Sequence, residues 1–190
     1  QEKGKNNMDT MKFINEKCQV FTPGNYVEEL LNSVGYVENL FEKKILENSC
    51  GDGKILTSIA DKYIQDCRAH GLTDDQIRDG LSENICGIEI DPVYYNKCIQ
   101  NLDNLAEKQK IGKVKWNVIN GDYLKWECKE TFQFVVGNPP YITYQELGEE
   151  DRAFVRQNFE MCEKGKFDYC YAFIEKSVKC LGENGKMAYL

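Results

Sequence analysis

The sequence lacks several features that would assign it to common classes of protein. No apolar run approaches the roughly 20 residues needed to span a bilayer, and residues 1–15 are polar and mixed in charge, unlike a secretory signal peptide. It contains a single histidine, His70, and no Cys-x-x-Cys pair, which argues against a zinc site. We therefore expect a cytoplasmic protein without a membrane partner or a bound metal.

Positive charge is also scarce, since the 190 residues carry a net charge of −7 and the pI is near 4.9. A protein that binds nucleic acid on its own is expected to be basic, because phosphate contacts supply most of the affinity. Either the substrate is not a nucleic acid, or the basic surface lies outside this chain.

Cysteines, by contrast, are plentiful, with nine spread along the chain. An odd number without a secretory signal indicates reduced thiols. We expect most of them to behave as small apolar core residues.

Short apolar runs alternate with amphipathic segments along the chain, whose hydrophobic content of 42% is ordinary for a globular domain. This alternation predicts βαβ units and therefore an α/β fold, a Rossmann-like doubly wound sheet that is mainly parallel. The predicted strands are 44–47, 85–90, 114–119, 132–136 and one that begins at 187–190; the predicted helices are 24–33, 55–67, 72–82 with Thr73 as its cap, 92–108, about 149–158 and 168–181.

The most informative motif is Asn138-Pro139-Pro140-Tyr141, which ends an apolar run. Proline donates no backbone hydrogen bond, so the strand must stop here. Asn138 is then expected at the carboxyl end of a strand, where open α/β sheets bind ligands. An amide oxygen, a carbonyl without a competing N–H and a flat phenol are suited to holding a planar exocyclic amine. The alternative is a turn that simply closes the strand.

A second motif, Glu47-Asn48-Ser49-Cys50-Gly51-Asp52-Gly53, places an acidic residue and a glycine turn between a strand and a helix. It is neither a G-x-G-x-x-G motif nor a P-loop, so phosphate binding is not implied. A carboxylate beside a glycine turn suits a cationic amine better than a pyrophosphate. A plain strand-to-helix turn remains the alternative.

Two further strands are followed by acids. Glu89 ends one, where it can accept hydrogen bonds from both hydroxyls of a ribose. Asp122 follows the other, where it can accept from an adenine amine while Tyr123 covers the ring. Either acid alone is also consistent with a solvated strand end. Together with Glu47 and Asn138, however, they predict four polar groups along one edge of one sheet.

These motifs together resemble the S-adenosylmethionine-dependent amino-methyltransferases, and most closely the N6-adenine DNA methyltransferases of restriction-modification systems. The resemblance extends from about residue 20 to residue 190. The stretch Val20-Phe21-Thr22-Pro23 resembles the family's N-terminal motif, and the glycine turn and Asn-Pro-Pro-Tyr follow it in the family's order.

The resemblance implies S-adenosyl-L-methionine as the cofactor and a class I methyltransferase fold. It places Thr22 and Pro23 beside the methionine moiety, and the glycine turn at its amine and carboxylate. Glu89 takes the ribose, while Ile90, Asp122 and Phe173 lie at the adenine. The implied catalytic residues are Asn138, Pro139, Pro140 and Tyr141; the implied cofactor-binding residues are Thr22, Pro23, Glu47, Asn48, Ser49, Cys50, Gly51, Gly53, Glu89, Ile90, Asp122, Tyr123 and Phe173.

The chain departs from the family in two places. Asn48 stands where the family's glycine turn often has a stiff proline, so we expect a looser loop and weaker cofactor binding. The chain also stops in the expected fifth strand, where the family continues with further strands and a target-recognition domain. We therefore expect a polar segment over 1–19 and a catalytic domain over 20–190 that is truncated before the last strands. Its partners would be DNA, bound through the missing domain, and a restriction or specificity subunit.

Three alternatives remain. Release-factor glutamine methyltransferases also use Asn-Pro-Pro-Tyr, although the Phe21-Thr22-Pro23 motif and the lack of an upstream helical domain disfavour them. An RNA-adenine methyltransferase is compatible with the same residues. A non-catalytic cofactor-binding subunit, in which the motif shapes an interface, is the third.

Overall fold

A computed structural model describes residues 24–190. Thr22 and Pro23 therefore lie outside the described residues, and their predicted role stays a prediction. Within 24–190 the chain forms two compact units, a larger one of residues 24–138 and 180–190 and a smaller one of residues 139–179. The catalytic domain that we predicted over 20–190 thus contains a boundary directly after Asn138.

The larger unit is built on a parallel sheet of five strands in the order β3-β2-β1-β4-β5. The chain adds β2 and β3 outward on one side of β1, then returns to add β4 and β5 on the other side. This reversal puts a topological switch point between β1 and β4, the position where such sheets bind ligands. The predicted doubly wound α/β fold is confirmed. The strands are β1 (Ile45–Glu47), β2 (Ile85–Glu89), β3 (Asn117–Asn120), β4 (Phe132–Gly137) and β5 (Leu181–Tyr189).

The helices follow the predicted pattern closely, and two of them begin at residues that the sequence marked as helix starts. The Thr73 hydroxyl accepts from the Gln76 N–H at 3.3 Å in a reciprocal capping box. Pro92 opens the next helix at a position where its missing N–H is not needed. The helices are α1 (Gly24–Val34), α2 (Lys54–Ala69), α3 (Asp74–Asn84), α4 (Pro92–Lys108), α5 (Glu149–Asn158) and α6 (Cys170–Cys180), with a 3-10 turn at Glu160–Cys162.

Both faces of β1 and β2 are buried, which explains why these strands are apolar up to the glutamate that ends each of them. Ile45, Ile85 and Phe134 belong to the core that also contains side chains of α1, α2 and α4. Leu46, which pairs with Cys86 and Val135, points to the other face and is equally buried. The three residues of β1 are all buried, and they pair with β2 on one side and with β4 on the other.

Two strand boundaries differ from the prediction. β3 begins at Asn117, three residues later than predicted. β5 begins at Leu181, directly after α6, and its pairing with β4 then jumps from Leu181 to Lys186. The intervening residues loop out, and the backbone carbonyl of Phe132 lies 3.0 Å from where a Cβ would be at Gly185. A bulge of this kind leaves no periodic pattern in the sequence, so the start of the strand was missed.

The smaller unit is held by polar and aromatic contacts close to the Asn-Pro-Pro-Tyr motif in sequence. Thr143 and Asp168 form an antiparallel bridge, and the Tyr169 N–H donates to the Ile142 carbonyl at 2.8 Å. The Tyr144 ring has the guanidinium groups of Arg152 and Arg156 at 5.1 Å from its centroid.

The cysteines of residues 24–190 are all free, and all of them except Cys128 are buried. The prediction that most are core residues is therefore confirmed for this part of the chain. In the same part, no helix is both long and apolar enough to cross a membrane, and no group of three or more potential ligands is placed to hold a metal ion.

Candidate active site

The carboxyl ends of four neighbouring strands meet at one edge of the larger unit, because all pair in parallel. Glu47 ends β1, Glu89 ends β2, Asp122 follows β3 and Asn138 follows β4. The switch point between β1 and β4 lies between Glu47 and Asn138. The structure thus brings together the polar groups that the sequence predicted for this edge.

The glycine turn after β1 needs its glycines. Gly51 and Gly53 have φ values of 53° and 85°, in the left-handed region that side chains other than glycine rarely adopt. A Cβ at Gly53 would also lie 2.6 Å from the Cys98 sulfur. The Cys50 N–H donates to the Ile88 carbonyl at 3.0 Å, and its thiol is buried under the turn. Cys50 therefore supports the turn from the core side.

Glu89 braces this turn from the next strand. Its Oε2 accepts from the Gly51 N–H at 2.7 Å, and its Oε1 accepts from the Asp91 N–H at 2.8 Å. Burial raises the pKa of Glu89, while these two backbone bonds act in the opposite direction. A carboxylate has about four acceptor sites, more than these backbone bonds use, so this arrangement is compatible with the predicted contact to ribose hydroxyls. Ile90, the next residue, leaves an apolar side chain 36% exposed at the same edge, as packing on a ligand ring would require.

Glu47 is the most unusual group of the site. It is 1% exposed, and its Oε2 has no hydrogen-bond partner within residues 24–190. Burial raises the pKa of Glu47 well above its usual value, and the nearby Cys98 and Glu89 act in the same direction. A buried carboxylate with an unpaired oxygen destabilises the fold unless a positively charged group binds to it. The ammonium group of S-adenosylmethionine is such a group, so this residue fits the cofactor implied by the resemblance.

Asn48 differs from expectation. Its Nδ2 donates to the Tyr189 hydroxyl at 2.5 Å, and its backbone N–H donates to the Val136 carbonyl at 3.3 Å. Ser49 donates its hydroxyl to the Asn48 Oδ1 at 3.2 Å. The buried amide connects the turn to β5, which opposes the predicted looseness of the loop. The predicted weaker cofactor binding stays a prediction.

Tyr189 was absent from the predicted site, although Gly137 could have indicated a close contact. A glycine inside a strand often marks the approach of another group. Here a Cβ at Gly137 would lie 2.4 Å from the Asn48 Oδ1 and 3.1 Å from the Ser49 hydroxyl.

The two residues after β3 make contacts within the protein, and the predicted role of Asp122 at the adenine stays a prediction. The Asp122 carboxylate accepts from the Leu124 N–H at 2.9 Å and pairs with Lys125 at 3.1 Å. Tyr123 is only 2% exposed, and its ring stacks with Trp126 at a centroid distance of 6.3 Å. The prediction that Tyr123 covers the cofactor adenine is wrong, because the turn closed by Asp122 directs this ring into the core.

The remaining predicted residues belong to the smaller unit. Pro139 is buried, Pro140 is partly buried and Tyr141 is 55% exposed. Phe173 is buried and contacts Tyr169 edge to face at 5.6 Å between ring centroids. The predicted roles of these residues stay predictions. Asn138 is half-buried and directly precedes Pro139 in the chain.

Known proteins are similar to this chain in fold and, more distantly, in sequence. A chain from Listeria monocytogenes, described as a class I S-adenosylmethionine-dependent methyltransferase, superposes with a TM-score of 0.61 at 16% identity, over 89% of this chain and 45% of that one. The type II methyltransferase M.BstVI of Geobacillus stearothermophilus is 27% identical over 90% of this chain and 32% of its own length. A tRNA1(Val) (adenine(37)-N6)-methyltransferase of Haemophilus influenzae is 22% identical over 78% of this chain and 53% of its own length.

The fold is thus that of the class I S-adenosylmethionine-dependent methyltransferases, with the predicted site at the expected edge of the sheet. Within that class, the chain belongs to the Eco57I restriction-modification methylase family, whose model matches residues 37–190. The chain spans about a third of the length of the type II methyltransferases that it matches.

Glu47→Gln should stabilise the fold in a pH-dependent manner. The pKa of Glu47 is raised in the folded state, so as the pH rises above about 4.3 this side chain loses its proton in the unfolded chain before it does so in the folded one. The free energy of unfolding of the parent protein therefore falls as the pH rises towards the raised pKa. Glutamine does not titrate, so the variant has no such loss. We expect a gain on the order of 1–3 kcal/mol at pH 8 and little gain at pH 4, measured by urea unfolding. Glu28→Gln, at an exposed position, is the control, and equal gains at both pH values would contradict the prediction.

Gly137→Ala should destabilise the fold by roughly 1–3 kcal/mol, as overpacking does. The added methyl would collide with the Asn48 amide, which is buried and already bonded to Tyr189. Gly121→Ala is the matched control, since its Cβ would meet only the Ile119 side chain at 3.7 Å. Thermal unfolding of the two variants checks this, and similar midpoints would show that the amide moves aside at little cost.

Proposed function

We propose that this chain is the catalytic part of an S-adenosylmethionine-dependent DNA methyltransferase that modifies the N6 amine of adenine in a specific sequence, within a restriction-modification system. The observation that carries the proposal is the position of Asn138-Pro139-Pro140-Tyr141. The motif starts directly after β4, and β4 is the neighbour of β1 at the switch point. Because the chain spans only about a third of its curated relatives, the activity of the whole protein is part of this proposal.

The cofactor proposal is supported by the first two strand ends. Bound S-adenosylmethionine would supply a methyl group made electrophilic by its sulfonium. The buried carboxylate of Glu47, whose Oε2 has no partner among residues 24–190, would bind the methionine ammonium. Glu89 would hold the ribose while it keeps the turn at Gly51 in place, and the exposed side chain of Ile90 would pack on the adenine.

The acceptor proposal follows from the chemistry of an exocyclic amine. Its nitrogen is a poor nucleophile, because its lone pair is delocalised into the ring. If the Asn138 side-chain oxygen and the Pro139 carbonyl each accept one N6 hydrogen, the nitrogen becomes more tetrahedral and its lone pair is localised. Pro140 follows the Pro139 carbonyl and has no backbone N–H, so no donor of that peptide bond competes with the amine beside this carbonyl. No strong base is needed before attack, because the nitrogen can lose its proton after its bond to the methyl carbon has formed and the bond from that carbon to the cofactor sulfur has broken. Holding both reactants in line contributes effective molarities on the order of 10⁵ M or more.

Tyr141 is proposed to stack on an adenine that has been rotated out of the duplex. Its ring is 55% exposed although it follows a buried strand and a buried proline. An exposed aromatic ring next to the amine-binding groups is suited to this contact, which is worth roughly 1–3 kcal/mol per base.

DNA as the substrate is supported by the family and by relatives such as M.BstVI. The acidic charge of −7 agrees with a basic, DNA-reading surface elsewhere in the complete protein. RNA adenine is the second candidate, favoured by the relative named as a tRNA adenine-N6 methyltransferase. A restriction or specificity subunit would be a further partner.

The first experiment is modified-base sequencing of genomic DNA from cells that express the complete gene encoding this chain, with Asn138→Ala as the control. N6-methyladenine in one sequence context, lost in the variant, would support the proposal. Absence of methylated adenine from DNA would reject it and direct the search to RNA and to protein glutamine.

Asn138→Ala should lower turnover by at least a hundredfold while changing the dissociation constant of the cofactor by less than about threefold. The reason is that the amide acts on the acceptor amine and not on the cofactor. Methyl transfer to substrate DNA and calorimetric titration with S-adenosylmethionine measure the two effects separately. A variant with near-normal turnover would refute the proposed role.

Tyr141→Ala should weaken substrate binding by about tenfold or more, while Tyr141→Phe retains most of it, because stacking requires the ring but not the hydroxyl. The KM for DNA in the two variants is the measurement. Equal losses would show that the hydroxyl, not the ring, makes the contact.

A further inference from the structure

We infer that the hydrogen bond between Asn48 and Tyr189 is a positioning device, which fixes the end of β4 and thereby places Asn138 against the cofactor turn. This inference rests on the proposed function of Asn138. Neither residue of the pair would touch the reacting atoms, so both are positioning residues for the proposed methyl transfer.

The three residues involved form one row across β1, β4 and β5. Glu47 pairs with Val136, so Asn48 is level with Gly137, and Gly137 pairs with Tyr189. The Asn48 side chain crosses over Gly137 to reach the Tyr189 hydroxyl at 2.5 Å. It can do so only because residue 137 has no side chain, since a Cβ would lie 2.4 Å from the Asn48 Oδ1.

This row contains the last restraints on β4 before the proposed catalytic amide. The Asn48 N–H donates to the Val136 carbonyl at 3.3 Å from one side, and the Leu190 N–H donates to the Gly137 carbonyl at 3.2 Å from the other. Pro139 and Pro140 donate no backbone hydrogen bond. The position of Asn138 therefore depends on how firmly residues 136 and 137 are held, and the side-chain bond ties both neighbouring strands together at that level.

The same bond also ties the cofactor turn to the catalytic strand. Asn48 directly follows Glu47, whose buried carboxylate would bind the methionine ammonium. A single side chain thus fixes the distance between the element proposed to hold the cofactor and the element proposed to hold the acceptor amine. Small misplacements at this level are costly, because in-line transfer depends on alignment of the two reactants.

The chain offers a matched control for a purely structural role. Asn84 donates its Nδ2 to the Tyr63 hydroxyl at 3.1 Å, within the same unit, and both residues are buried. Tyr63 lies on α2 and Asn84 ends α3, away from the strand ends of the site. Tyr63→Phe and Tyr189→Phe therefore each remove one tyrosine hydroxyl bonded to an asparagine amide, and only the second lies at the proposed active site.

The test compares these two variants in the complete enzyme by three measurements: turnover on substrate DNA, the dissociation constant of S-adenosylmethionine, and amide hydrogen exchange in the peptide spanning 134–141. We expect Tyr189→Phe to lower kcat by about tenfold, to leave cofactor affinity within about twofold, and to speed exchange at 136–138. Tyr63→Phe should lose thermal stability but leave kcat and that exchange unchanged. Adding Asn48→Ala to Tyr189→Phe should lower kcat little further, because the bond is already broken.

Several outcomes would overturn the inference. Equal kcat values for Tyr189→Phe and Tyr63→Phe would show that the bond contributes only stability. A loss confined to cofactor affinity would show that it serves the turn and not Asn138. If the unaltered enzyme methylates no adenine, the proposed function fails. The positioning role is then tested by amide hydrogen exchange alone, and unchanged exchange at 136–138 in Tyr189→Phe would reject it.

Discussion

Parallel pairing of β1 with β2 on one side and β4 on the other is the constraint on which the site depends. Three buried residues are enough to make it. Because parallel strands end at the same edge, this pairing brings Glu47, Glu89 and Asn138 together although they are far apart in sequence. The switch point between β1 and β4 then provides the gap in which a ligand can lie.

Burial of the carboxyl groups at this edge lowers the stability of the fold. Two carboxylates, Glu47 and Glu89, are buried close to one another, and burial raises the pKa of both. Glu89 recovers part of the cost through backbone N–H groups, whereas Glu47 keeps one oxygen without a partner in the described chain. A site for a cationic amine needs an acceptor that is unpaired before the ligand binds. Glu47 is therefore the best candidate for the contact with the ammonium group.

Membership of the Eco57I restriction-modification methylase family agrees with this arrangement and limits what the chain alone can do. The described residues contain the strand ends proposed to hold the cofactor and the motif proposed to hold the acceptor amine, and they carry more acidic than basic side chains. Sequence-specific binding of DNA needs phosphate contacts and base contacts, and the type II methyltransferases that this chain matches are about three times its length. We therefore propose that this chain carries the chemistry of methyl transfer and that other parts of the complete protein carry target recognition.

Much of the architecture followed from local patterns. Buried parallel strands are mainly apolar, and helices begin at recognisable residues such as the Thr73 cap and Pro92 in the first turn. Prolines stop a strand, so residue types alone predict the order of the elements and the position of Asn138. The acids at strand ends were equally visible, because a shared edge follows from parallel order. The glycine turn was visible for the same reason, since left-handed backbone requires glycine at 51 and 53.

Contacts between distant side chains had no such local pattern. The direction of the Tyr123 ring depends on the turn that Asp122 closes, and the bulge in β5 depends on pairing with Phe132. The bond between Asn48 and Tyr189 joins residues 141 positions apart across a strand that contributes only a glycine there. Residue types and their spacing along the chain were sufficient to place the chemical groups at one edge; which of those groups remains open to a ligand, and which is already bonded within the protein, depends on packing across three strands.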